Sequence, residues 1–173
     1  MLALNWLALA LSRSSLLRSL HHRPLITIGM PHNFSCIGTV AMVRWGKELA
    51  ITDCLALPRE IDEARRRAGE PIVFVSIVPA DMRVPSAEAR QAFSRAVDHM
   101  KKECTSVHVV IEGAGFVQAT LRSVLTAWNF ATRTQHMVTV HASLEQALRV
   151  IAETVHIDPN ALLSTARFRK LVA

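Results

Sequence analysis

A chain of 173 residues that is half hydrophobic is long enough for one domain with a sizeable core, one that buries roughly 70% of its unfolded surface, and its composition excludes a disordered chain. The formal charge of +6 is uneven: residues 1–29 carry Arg13, Arg18 and Arg23 and no acid, and the rest has 17 basic against 14 acidic residues. That balance is an ordinary solvated surface, and it excludes the basic face with interleaved aromatics that a nucleic-acid binder presents.

The first 29 residues stand apart from the rest. Leu2 to Leu11 is an apolar stretch interrupted by Asn5, about half the ~20 residues that a spanning helix needs. The arginines follow this stretch, whereas a secretory signal places its charge before the apolar run. Three readings stay open: an upstream extension with translation starting at Met30, an amphipathic segment that lies on a membrane or a partner, or an export or organelle address.

From there the elements follow in order. Phe34–Ile37 and Val40–Trp45 are short apolar runs around Gly38-Thr39, the signal for a two-residue hairpin of type II′. Leu57, Ile61, Ala64 and Ala68 recur at helical spacing. Because proline fits best in a first turn, the spacing predicts a regular helix from about Pro58 to Gly69. Arg65, Arg66 and Arg67 fall in its last turn, where cations are favoured. PIVFVSIVP, residues 71–79, reads as a buried strand. A two-proline loop leads to Ser86, a candidate N-cap with Glu88 in the first turn, and Ala89, Phe93, Ala96 and Met100 mark one face of the helix that follows. Val107–Ile111 is a strand, 116–132 a helix and Met137–His141 a strand. Ser143 caps a helix carrying Leu144, Ala147, Leu148 and Ile151. Asp158-Pro159 opens a last helix that ends near Lys170. The order β-β-α-β-α-β-α-β-α plus an extra helix predicts an α/β fold: one mixed sheet opened by a hairpin, with helices packed on it.

The chemistry-bearing motifs are few. EGAGFVQ, residues 112–118, has Gly113 and Gly115 after a strand, but Gln118 stands where a dinucleotide fingerprint has its third glycine. Glu112 is also a poor neighbour for an anion. The turn therefore reads as a tight strand-to-helix joint rather than a phosphate cradle. No G-x-S-x-G elbow occurs. Cys36, Cys54 and Cys104 have neither zinc nor redox spacing, and a reducing cytoplasm suits them. His108 and His141, on strands or at their ends, make neither a triad nor a metal site by themselves and read as buried or edge histidines satisfied by backbone groups. The carboxylates single out no acid–base pair. No cofactor, metal or catalytic residue is expected. What stands out is FVQATLRSVLTAWNFAT, where Phe116, Val117, Leu121, Val124, Leu125, Trp128 and Phe130 cover more than one stripe. Either a neighbouring helix covers the second side, or the patch receives a partner or a second copy. Trp128 with Arg122 is a pair of the kind found at binding hot spots.

The hairpin, PIVFVSIVP with its following helix, VHVVIEGAGF leading into a helix, and HMVTVHASLEQAL together resemble the STAS domain of anti-sigma-factor antagonists and SpoIIAA-like proteins, over about residues 33–153. The resemblance implies a domain over residues 30–156, a helical extension over 157–173, and a non-enzymatic cytoplasmic regulator that switches or sequesters a protein partner by stoichiometric binding. It also implies a phosphorylated serine at the start of the helix after PIVFVSIVP. Ser86 holds that place, without the aspartate and glycine of the family's Asp-Ser-[Ser/Thr]-Gly. The SpoIIAA-like branch implies an alternative, a carrier or sensor of an apolar small molecule or lipid, with a cavity between the sheet and the 116–130 helix. The expected partner face joins the 78–86 loop to that helix, through Met82, Arg83, Ser86, Phe116, Gln118, Arg122, Leu125, Trp128 and Asn129. A homodimer fits the same face. No nucleic acid is expected, and no membrane contact outside residues 1–29.

Overall fold

β-Branched runs and helical spacing build ten elements in the computed structural model, which describes residues 32–131 and 137–171. They are β1 Asn33–Ile37, β2 Val40–Arg44, α1 Ile51–Ala68, β3 Ile72–Val78, α2 Ala87–Glu103, β4 Cys104–Ile111, α3 Phe116–Ala131, β5 Val138–His141, α4 Leu144–Val155 and α5 Pro159–Phe168. The predicted order holds throughout. Residues 1–29 lie outside the described residues.

The strands form one mixed sheet in the order β1-β2-β3-β4-β5, with β1 antiparallel and the rest parallel. Ile37 pairs with Val40 across Gly38-Thr39, and Gly38 has φ 57, the positive angle that a type II′ turn needs at its first position. β3 is central, and both of its faces are covered. Ile72 and Phe74 join Ala41, Val43 and Val107 beneath Leu57, Ile61 and Ala64 of α1 and Ala96 and Met100 of α2. Val73, Val75 and Ile77 join Val40, Met42 and Val110 on the other face, beneath α4 and α5. Burial on both sides is why this strand reads as an unbroken apolar run. α5 supplies Leu162 and Ala166 to the same core as α4, so the C-terminal extension completes the domain rather than hanging from it.

One helix boundary needs correction. α1 begins at Ile51, and Pro58 sits inside it. An internal proline removes a backbone hydrogen bond and costs about 3 kcal/mol. Cys54, Leu57, Ile61 and Ala64 are all essentially fully buried, and that burial outweighs the local penalty. At the other end, Gly69 takes the left-handed conformation (φ 75) and its N–H donates to the Arg65 carbonyl, as predicted for the stop. The three helix N-caps also hold: Ser86, Ser143 and Asp158 accept from the backbone N–H of Ala89, Gln146 and Asn160.

Trp45 extends from the end of β2 under α2, where its ring meets Phe93 edge-on. Its indole Nε1 donates to Ser76 Oγ at 2.8 Å, and both residues are buried. Ser76→Ala strands that N–H in the core. The expected loss is about 1–2 kcal/mol in urea unfolding, and an unshifted midpoint would mean that the bond contributes nothing net.

Candidate functional site

Parallel strands place their C-terminal ends on one edge of the sheet, the edge where open α/β sheets carry ligands. Here that edge holds the loops 45–50, 79–86 and 112–115. β1 runs the other way, so its first residue, Asn33, starts there too. Ile157 lies against Gly38 at the far end. α5 then runs back to the carboxyl edge, where Asn33 Nδ2 donates to the Arg169 carbonyl at 2.7 Å and Arg44 Nη1 donates to the Leu171 carbonyl at 3.1 Å.

The glycine turn of residues 113–115 is a closed joint. Gly113 has φ 96, and a Cβ there would come within 2.6 Å of Ala80 Cβ, so only glycine fits. Arg122 Nη1 donates to the carbonyls of Ile111 at 2.9 Å and Gly113 at 3.3 Å. Gln118 Nε2 donates to the Ala80 carbonyl at 3.3 Å, so the residue in place of the third glycine ties the joint to the neighbouring loop. Glu112 forms a two-pronged pair with Arg44, each contact 2.7 Å. Among the described residues, the arginines at this turn, Arg44 and Arg122, are already engaged, and so is its acid.

The 79–86 loop is strapped over the 46–49 loop. The Arg83 backbone N–H donates to the Lys47 carbonyl at 2.7 Å, Lys47 pairs with Asp81 at 2.9 Å, and Arg83 pairs with Glu48. The Lys47 ammonium holds the Asp81 carboxyl below its ordinary range. Between the loops runs an open groove of about 310 Å³ lined by Glu48, Leu49, Arg83, Val84, Pro85 and Ser86. Ser86 is exposed. Its hydroxyl caps α2, and Glu88 stands beside it, its carboxyl held low by its own amide and by Ser86. A phosphate on Ser86 would meet that carboxylate.

The predicted face therefore divides. Phe116 is 87% exposed and Arg83 is exposed, while Met82 and Leu125 are half-buried. Gln118 and Arg122 face inward to backbone carbonyls. The side chains of Trp128 and Asn129 lie outside the described residues. Arg122 is the sole charged residue of α3, so the exposed positions Phe116, Ala119, Thr120, Leu121, Ser123, Thr126 and Ala127 form an uncharged outer surface. Among the described residues α3 packs chiefly on β5 and β4, whereas α1 and α2 pack closely on each other.

Two histidine sites complete the inventory. His108 Nδ1 and His141 Nε2 are 2.9 Å apart, with stacked rings and exposures of 6% and 3%. His108 Nε2 lies 3.2 Å from Ser106 Oγ. These two histidines satisfy each other and a serine, rather than backbone groups. Burial, reinforced by the neighbouring imidazole, pushes the His108 pKa down to about 4, and burial lowers that of His141. The other site was not legible in the sequence. His32 Nε2 lies 2.7 Å from Glu60 Oε2, and Nδ1 lies 3.0 Å from Asp53 Oδ1, near enough to pair as charges although Nδ1 forms no well-aligned hydrogen bond. The bond to Glu60, and then Asp53, pushes His32 up to about 9 against the opposing effect of burial. Its acids lie two turns apart on α1, and only the fold brings His32 to them.

Among the described residues, no three His, Cys, Asp or Glu side chains gather as metal ligands. Burial raises the Cys54 thiol to about 11 and the Cys104 thiol to about 12, which keeps them protonated and poorly nucleophilic. No described helix is long and apolar enough to cross a membrane. No family model, curated protein or solved structure matches the chain.

Proposed function

We propose that the protein is a non-enzymatic cytoplasmic regulator that acts by stoichiometric binding of a protein partner to the outer face of α3 and the adjoining 78–86 loop. The observation that carries this reading is the uncharged surface of α3, with its single cation turned inward and Phe116 87% exposed. A solvated helix ordinarily shows charge on its outer side, and a surface without it suits a partner's apolar anchor. The STAS-like order of elements agrees with a binding role. Further support comes from the parallel strands following one another across the sheet without reversal, so no switch-point crevice opens at the carboxyl edge.

Phe116 and Leu121 are cleaner probes of this face than Arg122, whose loss would also free the Ile111 and Gly113 carbonyls. Full-length protein carrying a C-terminal tag is expected to retain one partner stoichiometrically from its native host. Phe116→Asp with Leu121→Asp is expected to lose it at least tenfold, a change of about 1.4 kcal/mol, with an unaltered melting curve. Equal retention by the variant removes this face. A lipid mass on the native protein, with no protein partner, would replace the regulator by a carrier.

A further inference from the structure

We infer that the carboxyl edge of the sheet, centred on the turn Arg167–Lys170, is a docking surface for an anionic lipid bilayer. This goes beyond the partner reading and does not depend on it. The turn is rigidly built. Lys170 takes a left-handed conformation with φ 57. The Leu171 N–H donates to the Ala166 carbonyl and the Lys170 N–H to the Arg167 carbonyl, both at 2.9 Å. Those are the two bonds of a Schellman stop, with Leu171 as its buried hydrophobic anchor. The carbonyls of Arg169 and Leu171 are held by Asn33 and Arg44. What this anchored turn presents outward is Arg167, Phe168, Arg169 and Lys170, all exposed, with Phe168 at 82%.

Charge at this edge favours an anionic surface. Glu112, Asp81 and Glu48 are matched by Arg44, Lys47 and Arg83. The first helical turns add Asp53, Glu88 and Glu145; His32 pairs with Asp53, and Arg90 in the first turn of α2 and Arg122 in the second turn of α3 offset the other two. Arg167, Arg169 and Lys170 remain, and they form no ion pair among the described residues.

An apolar side chain fits the same surface. Phe168 is 82% exposed and stands between Arg167 and Arg169 at the end of α5. An aromatic tip among unpaired cations matches the shallow insertion of aromatic groups between anionic headgroups.

The test is co-sedimentation of the full chain with vesicles of phosphatidylcholine alone or with a third phosphatidylserine. Binding is expected only to the anionic vesicles, and it is expected to weaken as salt shortens the Debye length from about 10 Å to about 3 Å. Each cation near such a surface contributes about fivefold. Arg169→Gln with Lys170→Asn is therefore expected to bind about 25-fold more weakly, asparagine being tolerated at a left-handed position. Phe168→Ser is expected to lose about tenfold. None of these changes touches α3, and unaltered melting curves certify the fold. Full anionic-vesicle binding by both variants would overturn the proposal and assign the affinity to residues before His32. A wild-type chain that ignores anionic vesicles would also overturn it, and capture of polyglutamate by that chain would point to an acidic protein instead.

Discussion

Replacing Glu112 with alanine is expected to lower the unfolding free energy by about 3 kcal/mol. Glu112 accepts both arms of the Arg44 guanidinium at 2.7 Å, and the two side chains are only 19% and 22% exposed. Removing one partner of a buried pair leaves the other charge desolvated and unmatched, at a cost of about 3–5 kcal/mol; the residual exposure here argues for the lower end. The consequence extends beyond the pair. Arg44 also donates to the Leu171 carbonyl, so the end of the α5 turn is held through the same guanidinium. Glu112→Gln retains one acceptor and is expected to cost about half as much. Arg44→Met with Glu112→Leu removes both charges and is expected to recover most of the loss. Urea unfolding of the wild type, Arg44→Met, Glu112→Leu and the double variant closes the cycle. Additive losses would show that the two side chains do not act as a pair.

The second large effect is a stability maximum near neutrality with two separable limbs. On the acid side, His108 and His141 share a buried contact that is lost once both are protonated, since two imidazolium rings would present donor to donor, and burial disfavours even the first charge. Val75 pairs with His108 and Val110 with His141 in the sheet, and α4 contributes Leu144, Ala147 and Leu148 to that face. No described carboxylate compensates the pair. The folded pKa of His108 lies at about 4, below its unfolded 6.5. The unfolded chain therefore takes up a proton first, and stability falls as pH drops through that window, by up to about 3 kcal/mol. On the alkaline side, His32 is held protonated by Glu60 and Asp53 up to about pH 9. Its contribution is complete below 6.5 and disappears as pH rises through about 9, again by up to about 3 kcal/mol. Urea midpoints measured from pH 5 to 9.5 should show both limbs. His108→Gln is expected to flatten the acid limb alone, and His32→Gln the alkaline limb alone. An acid limb unchanged in His108→Gln would exclude the buried pair as its source.

Local chemistry was legible wherever one residue type dictates one backbone state. Gly38, Gly69, Ser86, Ser143 and Asp158 each mark a turn, a stop or a cap by their own stereochemistry or side-chain oxygen, and each performs that role. β3 was legible because burial on both faces leaves no alternation to misread. The start of α1 was not, because the burial of Cys54 and Leu57 that overrides Pro58 is a tertiary quantity. The glycine turn was legible as a strand-to-helix joint, since Gly113 and Gly115 follow the apolar run VHVVI. What closes that joint, however, comes from Ala80, Arg44 and Arg122, at separations that no local pattern encodes.

The candidate surfaces follow the same division. By itself the sequence determined the order of elements, the mixed sheet and the apolar character of α3, because periodicity and turn chemistry act over a few residues. Tertiary structure alone decided that Arg122 turns inward, that His108 meets His141, that His32 sits between two acids, and that Phe168 stands beside uncompensated cations on the carboxyl edge. Those facts depend on which strands pair and where α5 returns, and such contacts join residues far apart in the chain whose spacing carries no period to read.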